Sequence, residues 1–307
     1  MQSVVVSIFN EETAKELGKK ETDSGDLEFF HRTHLERLIT FIYPKAFPEK
    51  IQALVSALHL SNVVVLEINT ISRELGEIIL AINALKKEKG FLVINDAIDK
   101  NVLQKVIAGT VVEKFKQISK EEILNEVATI EVESHSGESI ADLDSMFPVK
   151  GIGTIALGFV KQGTIKKFQN LKIHPKNFDV TIRSIQKQDK DVNEAFENDR
   201  LGVALKGIGE SEFSKGMVLC SGKDFVEAKK VEISFEKNNF FKGKIEIDSQ
   251  FHLHSRMQTV VCRVKSLSPF SLALEGAIAL RKGERIVLLD LNSFPRIAGS
   301  GEIKSVE

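Results

Sequence analysis

Tryptophan is absent from this chain, tyrosine occurs once and cysteine twice, against 20 phenylalanines in 307 residues. Phenylalanine carries no hydrogen-bonding tip, so the aromatic set reads as core filler and not as a platform for stacking bases. Cys220 and Cys262 fall inside strand-like runs with no neighbour at metal-ligand spacing. Core packing in a reducing compartment is expected for both. No apolar run approaches the roughly 20 residues that cross a bilayer. The opening MQSVVVSIF lacks a basic n-region and a small-residue cleavage site. No signal peptide, no membrane partner and a cytoplasmic location are therefore expected. Also missing is the phosphate-cradling pattern GxxxxGK[ST] after the first apolar run.

What remains is ordinary globular protein, 42% hydrophobic and 28% charged, long enough for two or three domains. The net charge of −1 conceals an asymmetry. Residues 1–145 hold 16 Lys+Arg against 24 Asp+Glu, a net of −8, and residues 146–307 hold 26 against 19, a net of +7. The acidic half disfavours a polyanion, and no DNA partner is expected. The basic half suits RNA phosphates, or the opposite charges serve to dock the halves.

Residues 1–145 alternate buried strands with helical periods. Strands are expected at Val4–Phe9, Leu38–Ile42, Val63–Ile68, Phe91–Ile94 and Ala128–Val132. Helices are expected over 13–20 behind an Asn10 cap, then 48–60, 72–89 stopped by Gly90, 100–115 and 120–127. This order predicts a mostly parallel sheet. Near Ser145 the helical period stops. Short strands separated by turn clusters follow, with a second such set from Lys229, which includes Gly243–Ile247. The expected organisation is an α/β domain over 1–145 and two all-β barrels over 146–224 and 225–307.

The run from Phe147 to Cys220 carries GxGT at Gly151–Thr154, Gly158, the turn Gly163-Thr164-Ile165, IRSIQ at Ile182–Gln186, and DRLGVALKG at Asp199–Gly207. It resembles the second domain of the translational GTPases, the elongation-factor-Tu class. The segment SFPRIAGSG at Ser293–Gly301 is similar to the last hairpin of that family's third domain, nearest the selenocysteine-specific branch. Leu38–Asn69 aligns with the family's G domain without gaps. The resemblance thus implies a G-domain-like parallel sheet followed by two barrels.

It also implies where nucleotide chemistry would sit, and those positions are changed. The family's magnesium-side Asp falls on Tyr43, its Pro-Gly pair on Lys45-Ala46, and its water-positioning His on Phe47. A phenyl ring can neither coordinate nor hydrogen-bond water. Asn10 to Leu17 stands in place of the phosphate loop, and Glu11, Glu12 and Glu16 would repel a triphosphate. Gly18-Lys19-Lys20 is a remnant, three residues too late. The guanine-reading NKxD becomes Asn95-Asp96-Ala97-Ile98-Asp99. No cofactor is expected, GTP and Mg²⁺ included, and no catalytic residue is assigned.

Other constellations stay open. His31 and His34 share an expected loop at i, i+3 and would ligate a metal from one helix face; with no second ligand pair, no metal is expected. His252 and His254 alternate on a strand, as a barrel-surface pair. Arg183 and Arg200 are the candidate RNA contacts of the first barrel, and Arg200 alternatively braces its turn. Arg296 is a third candidate, or part of a barrel-closing turn. The expected function is that of a translation-factor-like protein with a pseudo-GTPase domain, binding tRNA or the ribosome. The alternatives are a protein-interaction subunit without an RNA role and a divergent GTPase.

Overall fold

A computed structural model describes residues 2–307. The first domain runs β1 (Ser3–Ile8), α1 (Glu11–Leu17), β2 (Lys19–Asp23), β3 (Glu28–His34), β4 (Arg37–Tyr43), α2 (Ile51–Leu60), β5 (Val63–Ile68), α3 (Arg73–Ala84), β6 (Gly90–Ile94), α4 (Lys100–Ile107), β7 (Lys116–Gln117) and α5 (Ile123–Thr129). The sheet order is β2-β3-β4-β1-β5-β6-β7. Its centre is parallel: β1 pairs with β4 and β5, and β5 with β6. Val4, Val5 and Val6 of β1 are all buried, as a strand covered on both faces requires.

Several expectations are corrected here. The helix expected to reach Lys20 ends at Leu17, and β2 and β3 follow as an antiparallel extension of the sheet. His31 and His34 therefore lie on a strand and not in a loop. The helix expected to reach Lys89 stops at Ala84, and Gly90 opens β6 instead of ending a helix. A Cβ at Gly90 would lie 2.3 Å from the Phe115 ring, so glycine is there to admit that ring. Helix 100–115 ends at Ile107, with a 3-10 turn at Val111–Lys114. Residues 128–132 form no strand. Ala128 is drawn into α5, Ile130 and Val132 pack on the core, and β7 takes the sheet edge.

The first barrel set comprises β8 (Ile140–Val149), β9 (Gly153–Gln162), β10 (Thr164–Lys166), β11 (Asn170–His174), β12 (Phe178–Lys187), β13 (Lys190–Val192), β14 (Glu194–Phe196), β15 (Arg200–Lys206) and β16 (Val218–Cys220). β8 starts at Ile140, ahead of the texture change at Ser145. The order β11-β16-β8-β9-β15-β12 closes through a β11–β12 pairing. A Cβ at Gly158 would lie 2.2 Å from the Asp142 carbonyl, so β8 and β9 approach closely only because that side chain is missing. The last set is β17 (Val226–Glu227), β18 (Lys230–Lys237), β19 (Gln250–Ser255), β20 (Gln258–Leu267), β21 (Phe270–Leu274), β22 (Ala279–Leu280), β23 (Arg285–Leu289) and β24 (Ile297–Val306). β18-β21-β20-β19-β23-β24 form a closed barrel. Gly243–Ile247 is not one of its strands, and Ile247 is exposed. Cys220 and Cys262 are buried and unpaired.

The chain divides into two compact units. One is the chain up to Val132 with Phe235–Lys244 and Arg285–Gly301; the other is Glu133–Ser234, Ile245–Glu284 and Glu302–Glu307.

Candidate functional site

The turn from β1 into α1 is where a phosphate loop would lie by the resemblance. Only Phe9 and Asn10 separate the two elements. The Asn10 side-chain oxygen accepts from the Thr13 N–H at 3.1 Å, an ordinary N-cap. Its amide donates to Glu67 Oε1 at 3.1 Å, and the buried Thr13 hydroxyl donates to Glu67 Oε2 at 2.6 Å. Asn69 adds a third bond to Glu67 at 2.8 Å. A carboxylate from β5 is thus held at the start of α1, by the cap residue and a first-turn hydroxyl. The sequence contained a signal for it: Glu67 is the one charge in the run Val63–Ile68. Gly18 is the C-cap of α1 with an extended backbone, and Lys19 is an exposed residue of β2. Neither forms part of a glycine-rich cradle.

Tyr43 closes β4 and is half-buried; burial pushes its hydroxyl pKa up. The turn after it places Lys45 against Asp23 at 2.8 Å and Glu28 at 3.3 Å. Lys20 reaches the same Glu28 at 2.7 Å. Glu28 is itself buried, so two ammonium groups compensate one buried carboxylate. The side-chain bond from Lys45 holds the Asp23 carboxyl below its ordinary pKa. Ala46 N–H donates to the Asp26 carbonyl at 3.1 Å, which commits that amide within the fold. The Phe47 ring packs against the helical core.

The two changed guanine-reading positions serve local structure, Asn95 in a turn and Asp99 as a helix cap. Asn95 accepts from Ala97 N–H at 3.0 Å. Asp99 caps α4, accepting from Asn101 N–H at 2.8 Å and Val102 N–H at 3.3 Å.

The three candidate RNA arginines separate. Arg183 is exposed on β12. Arg200 is buried, 2.5 Å from Asp144, with its guanidinium 4.9 Å from the Phe159 ring centre. Arg296 grips Glu77 and the carbonyls of Pro48 and Glu49. Only Arg183 presents a free charge to solvent. The other two are corrected to internal braces, because each faces a buried carboxylate that would otherwise be uncompensated.

The histidines also differ from expectation. His31 and His34 are three apart on β3, so they point to opposite faces of the sheet. His34 Nε2 lies 2.7 Å from Asn125 Oδ1. Among the described residues no group of three or more His, Cys, Asp or Glu is placed to hold a metal. His254 is buried and not on the surface. Its Nε2–H donates to the Arg256 carbonyl at 3.0 Å and its Nδ1 accepts from the Thr259 hydroxyl at 2.8 Å.

Burial holds the His254 pKa down at about 4, against an ordinary 6.5. Between those values the unfolded chain takes up a proton that the folded chain refuses. Stability therefore falls as pH drops from 6.5 to 4, by about 3 kcal/mol from this group. Urea unfolding at several pH values reads the effect. In His254→Leu the slope in this window should flatten, whatever the loss at pH 8; an unchanged slope would assign the titration elsewhere.

Residues 153–220 match the family model for elongation factor Tu domain 2. A protein of Methanocaldococcus jannaschii, described as uncharacterized, is 29% identical over 99% of this chain and its own whole length. The selenocysteine-specific elongation factor of the same organism is 26% identical over 52% of this chain and 40% of its own length. The crystal structure of the translation elongation factor SelB from Methanococcus maripaludis, in complex with a GTP analogue, superposes with a TM-score of 0.84 at 19% identity, covering all of this chain and 80% of that one. Among the described residues no helix is long and apolar enough to cross a membrane.

Proposed function

We propose, for a chain related to the translational GTPases through its second domain and its fold, that it works without a nucleotide switch and binds tRNA or ribosomal RNA through its barrels. Its second-domain match and its fold are similar to those of translation elongation factors of the selenocysteine-specific type, which supports this reading. The observation that carries the nucleotide-free reading is Glu67. A carboxylate bonded to Asn10 and Thr13 at the start of α1 sets negative charge against any phosphate there. Cations around α1 are engaged by carboxylates: Lys120 by Glu16, Lys20 by Glu28 and Lys45 by Asp23. Phe47 has no atom with which to orient water. The first domain then serves as a scaffold, and the RNA reading rests on the net positive charge of residues 146–307 and on the family's use of its barrels.

Equilibrium titration with a fluorescent GTP analogue, with and without Mg²⁺, tests the first half. No saturable binding in the micromolar range is expected. Micromolar, Mg²⁺-dependent affinity would establish the divergent-GTPase alternative instead. Titration with tRNA across a salt series tests the second half, since each phosphate contact adds roughly −0.7 to −0.9 to the slope of log K against log salt. Absence of binding at low salt would leave the protein-interaction reading. One observation favours that reading: Val102, Phe240 and Phe294 are exposed around a groove of about 490 Å³ bordered by Arg73, Lys105 and Lys242.

A further inference from the structure

Phe168 breaks the expectation that the phenylalanines only fill cores: it is 72% exposed. It also holds φ at +65°, a region that bulky side chains avoid. The cause is a tight turn. Gln169 N–H donates to the Lys166 carbonyl at 3.2 Å, with Lys167 and Phe168 at the centre. A positive φ at the third turn position is glycine's usual place. The turn is closed without the ring's help, because Gln169 Oε1 also accepts from Lys166 N–H at 2.9 Å. The fold would be served better by glycine here. A strained aromatic that buries little points to a role outside the fold.

Its surroundings say what kind of role. The Lys167 ammonium sits 5.1 Å from the ring centre. Lys166 and Lys167 are exposed. Phe168 N–H donates to the Ile182 carbonyl at 2.8 Å, and Ile182 N–H to the Gln169 carbonyl at 3.0 Å, which sets exposed Arg183 beside the turn. Glu194, opposite Lys166 in the β10–β14 register, is the nearest carboxylate along that pairing. An open ring beside one ammonium, with two further exposed cations on the turn and the adjoining strand, is the pattern of a single-strand stacking site, where one base lies on the aromatic face and cations take the flanking phosphates.

We propose that the Lys166–Gln169 turn is a single-stranded RNA contact of the first barrel, with Phe168 as the stacking side chain and Lys166, Lys167 and Arg183 as phosphate partners. This rests on the RNA-binding reading above and names the place and mode of that binding.

The test compares full-length wild type with Phe168→Gly and Phe168→Asn, both of which suit a positive φ. Fluorescence anisotropy with a labelled oligouridylate of about 12 nucleotides reads affinity. A stacked base predicts a loss of roughly 5- to 150-fold in both variants. Their thermal midpoints should equal or exceed that of wild type, so misfolding does not account for the loss. Arg183→Ala and Lys167→Ala should each lower the salt slope by about one contact. Wild-type affinity in both Phe168 variants overturns the proposal while leaving RNA binding intact. Equal loss toward a hairpin duplex also overturns it, because stacking needs an unpaired base. No RNA binding by wild type at low salt would overturn the RNA reading itself.

Discussion

Replacing Arg256 with methionine is expected to cost about 3–5 kcal/mol of stability, the range for breaking a buried ion pair from one side. Arg256 is buried and serves two buried carboxylates at once. Its guanidinium donates to Asp142 Oδ1 at 2.6 Å and, through Nε, to Glu284 Oε1 at 3.0 Å. The same group lies 4.9 Å from the Phe225 ring centre, and Arg281 lies 5.1 Å from that ring while also reaching Glu284 at 3.1 Å. Burial alone would lower the Arg256 pKa, but Asp142 and Glu284 raise it above its ordinary value, so the charge is held firmly. Methionine fills the volume and removes the charge, and it takes from Asp142 Oδ1 the guanidinium that donates to it. Thermal unfolding should show the midpoint fall by roughly 6–20 °C. Asp142→Asn and Glu284→Gln added to Arg256→Met should recover part of the loss, since neutral partners need no cation. A single variant within about 1 kcal/mol of wild type would mean that water reaches the carboxylates and that the pair is not closed. All three residues belong to one compact unit, so the loss should appear as one cooperative shift of that unit.

The barrel strands were legible because each runs in period two between turn residues. Leu171 and Ile173 in β11, and Val180 and Ile182 in β12, are inward and buried; a register shift after Ile182 brings Ile185 inward three residues on. The buried strands of the first domain were legible from unbroken apolar runs. The β2–β3 extension was not. Its first strand, KKETD, is polar, largely exposed and follows a helix, so its charges read as more helix. The site residues split the same way. Asn10 was legible as the cap of α1 and Asp99 only as a displaced guanine-reading position, yet its capping of α4 follows equally from residue type and position. Glu67 was visible as a lone charge in an apolar strand, but its partners were not. Phe168 was hidden by composition: a count of phenylalanines assigns all to the core, and only the positive φ and the exposure separate this one.

Arg296→Ala is expected to be as damaging as the loss of Arg256, and for the same physical reason. Its partner Glu77 lies on α3 and is 1% exposed, and the two are 219 residues apart in sequence. Arg296 Nε donates to Glu77 Oε1 at 3.0 Å and Oε2 at 3.2 Å, and its backbone N–H to Oε1 at 2.9 Å. The remaining donors reach the carbonyls of Pro48 at 2.8 Å and Glu49 at 3.3 Å, and the guanidinium stands 6.0 Å from the Phe47 ring. One side chain thus ties α3, the turn after β4 and the segment before β24 within a single compact unit. Alanine leaves a buried carboxylate with only a backbone N–H, a loss of about 3–5 kcal/mol. Lysine keeps the charge but lacks the planar fork that serves a carboxylate and two carbonyls together, so Arg296→Lys should fall between. The double variant Glu77→Gln, Arg296→Met should be less destabilised than Arg296→Ala, because no unpaired charge remains; chemical denaturation of the three variants gives the coupling. If the double variant were the worst of the three, the pair would be a net source of stability and not a mutual compensation. RNA affinity per folded molecule should be unchanged in Arg296→Lys and reduced in Arg183→Ala. That contrast follows from geometry: the Arg296 guanidinium is held inward and its charge is compensated by Glu77, whereas Arg183 is exposed on β12.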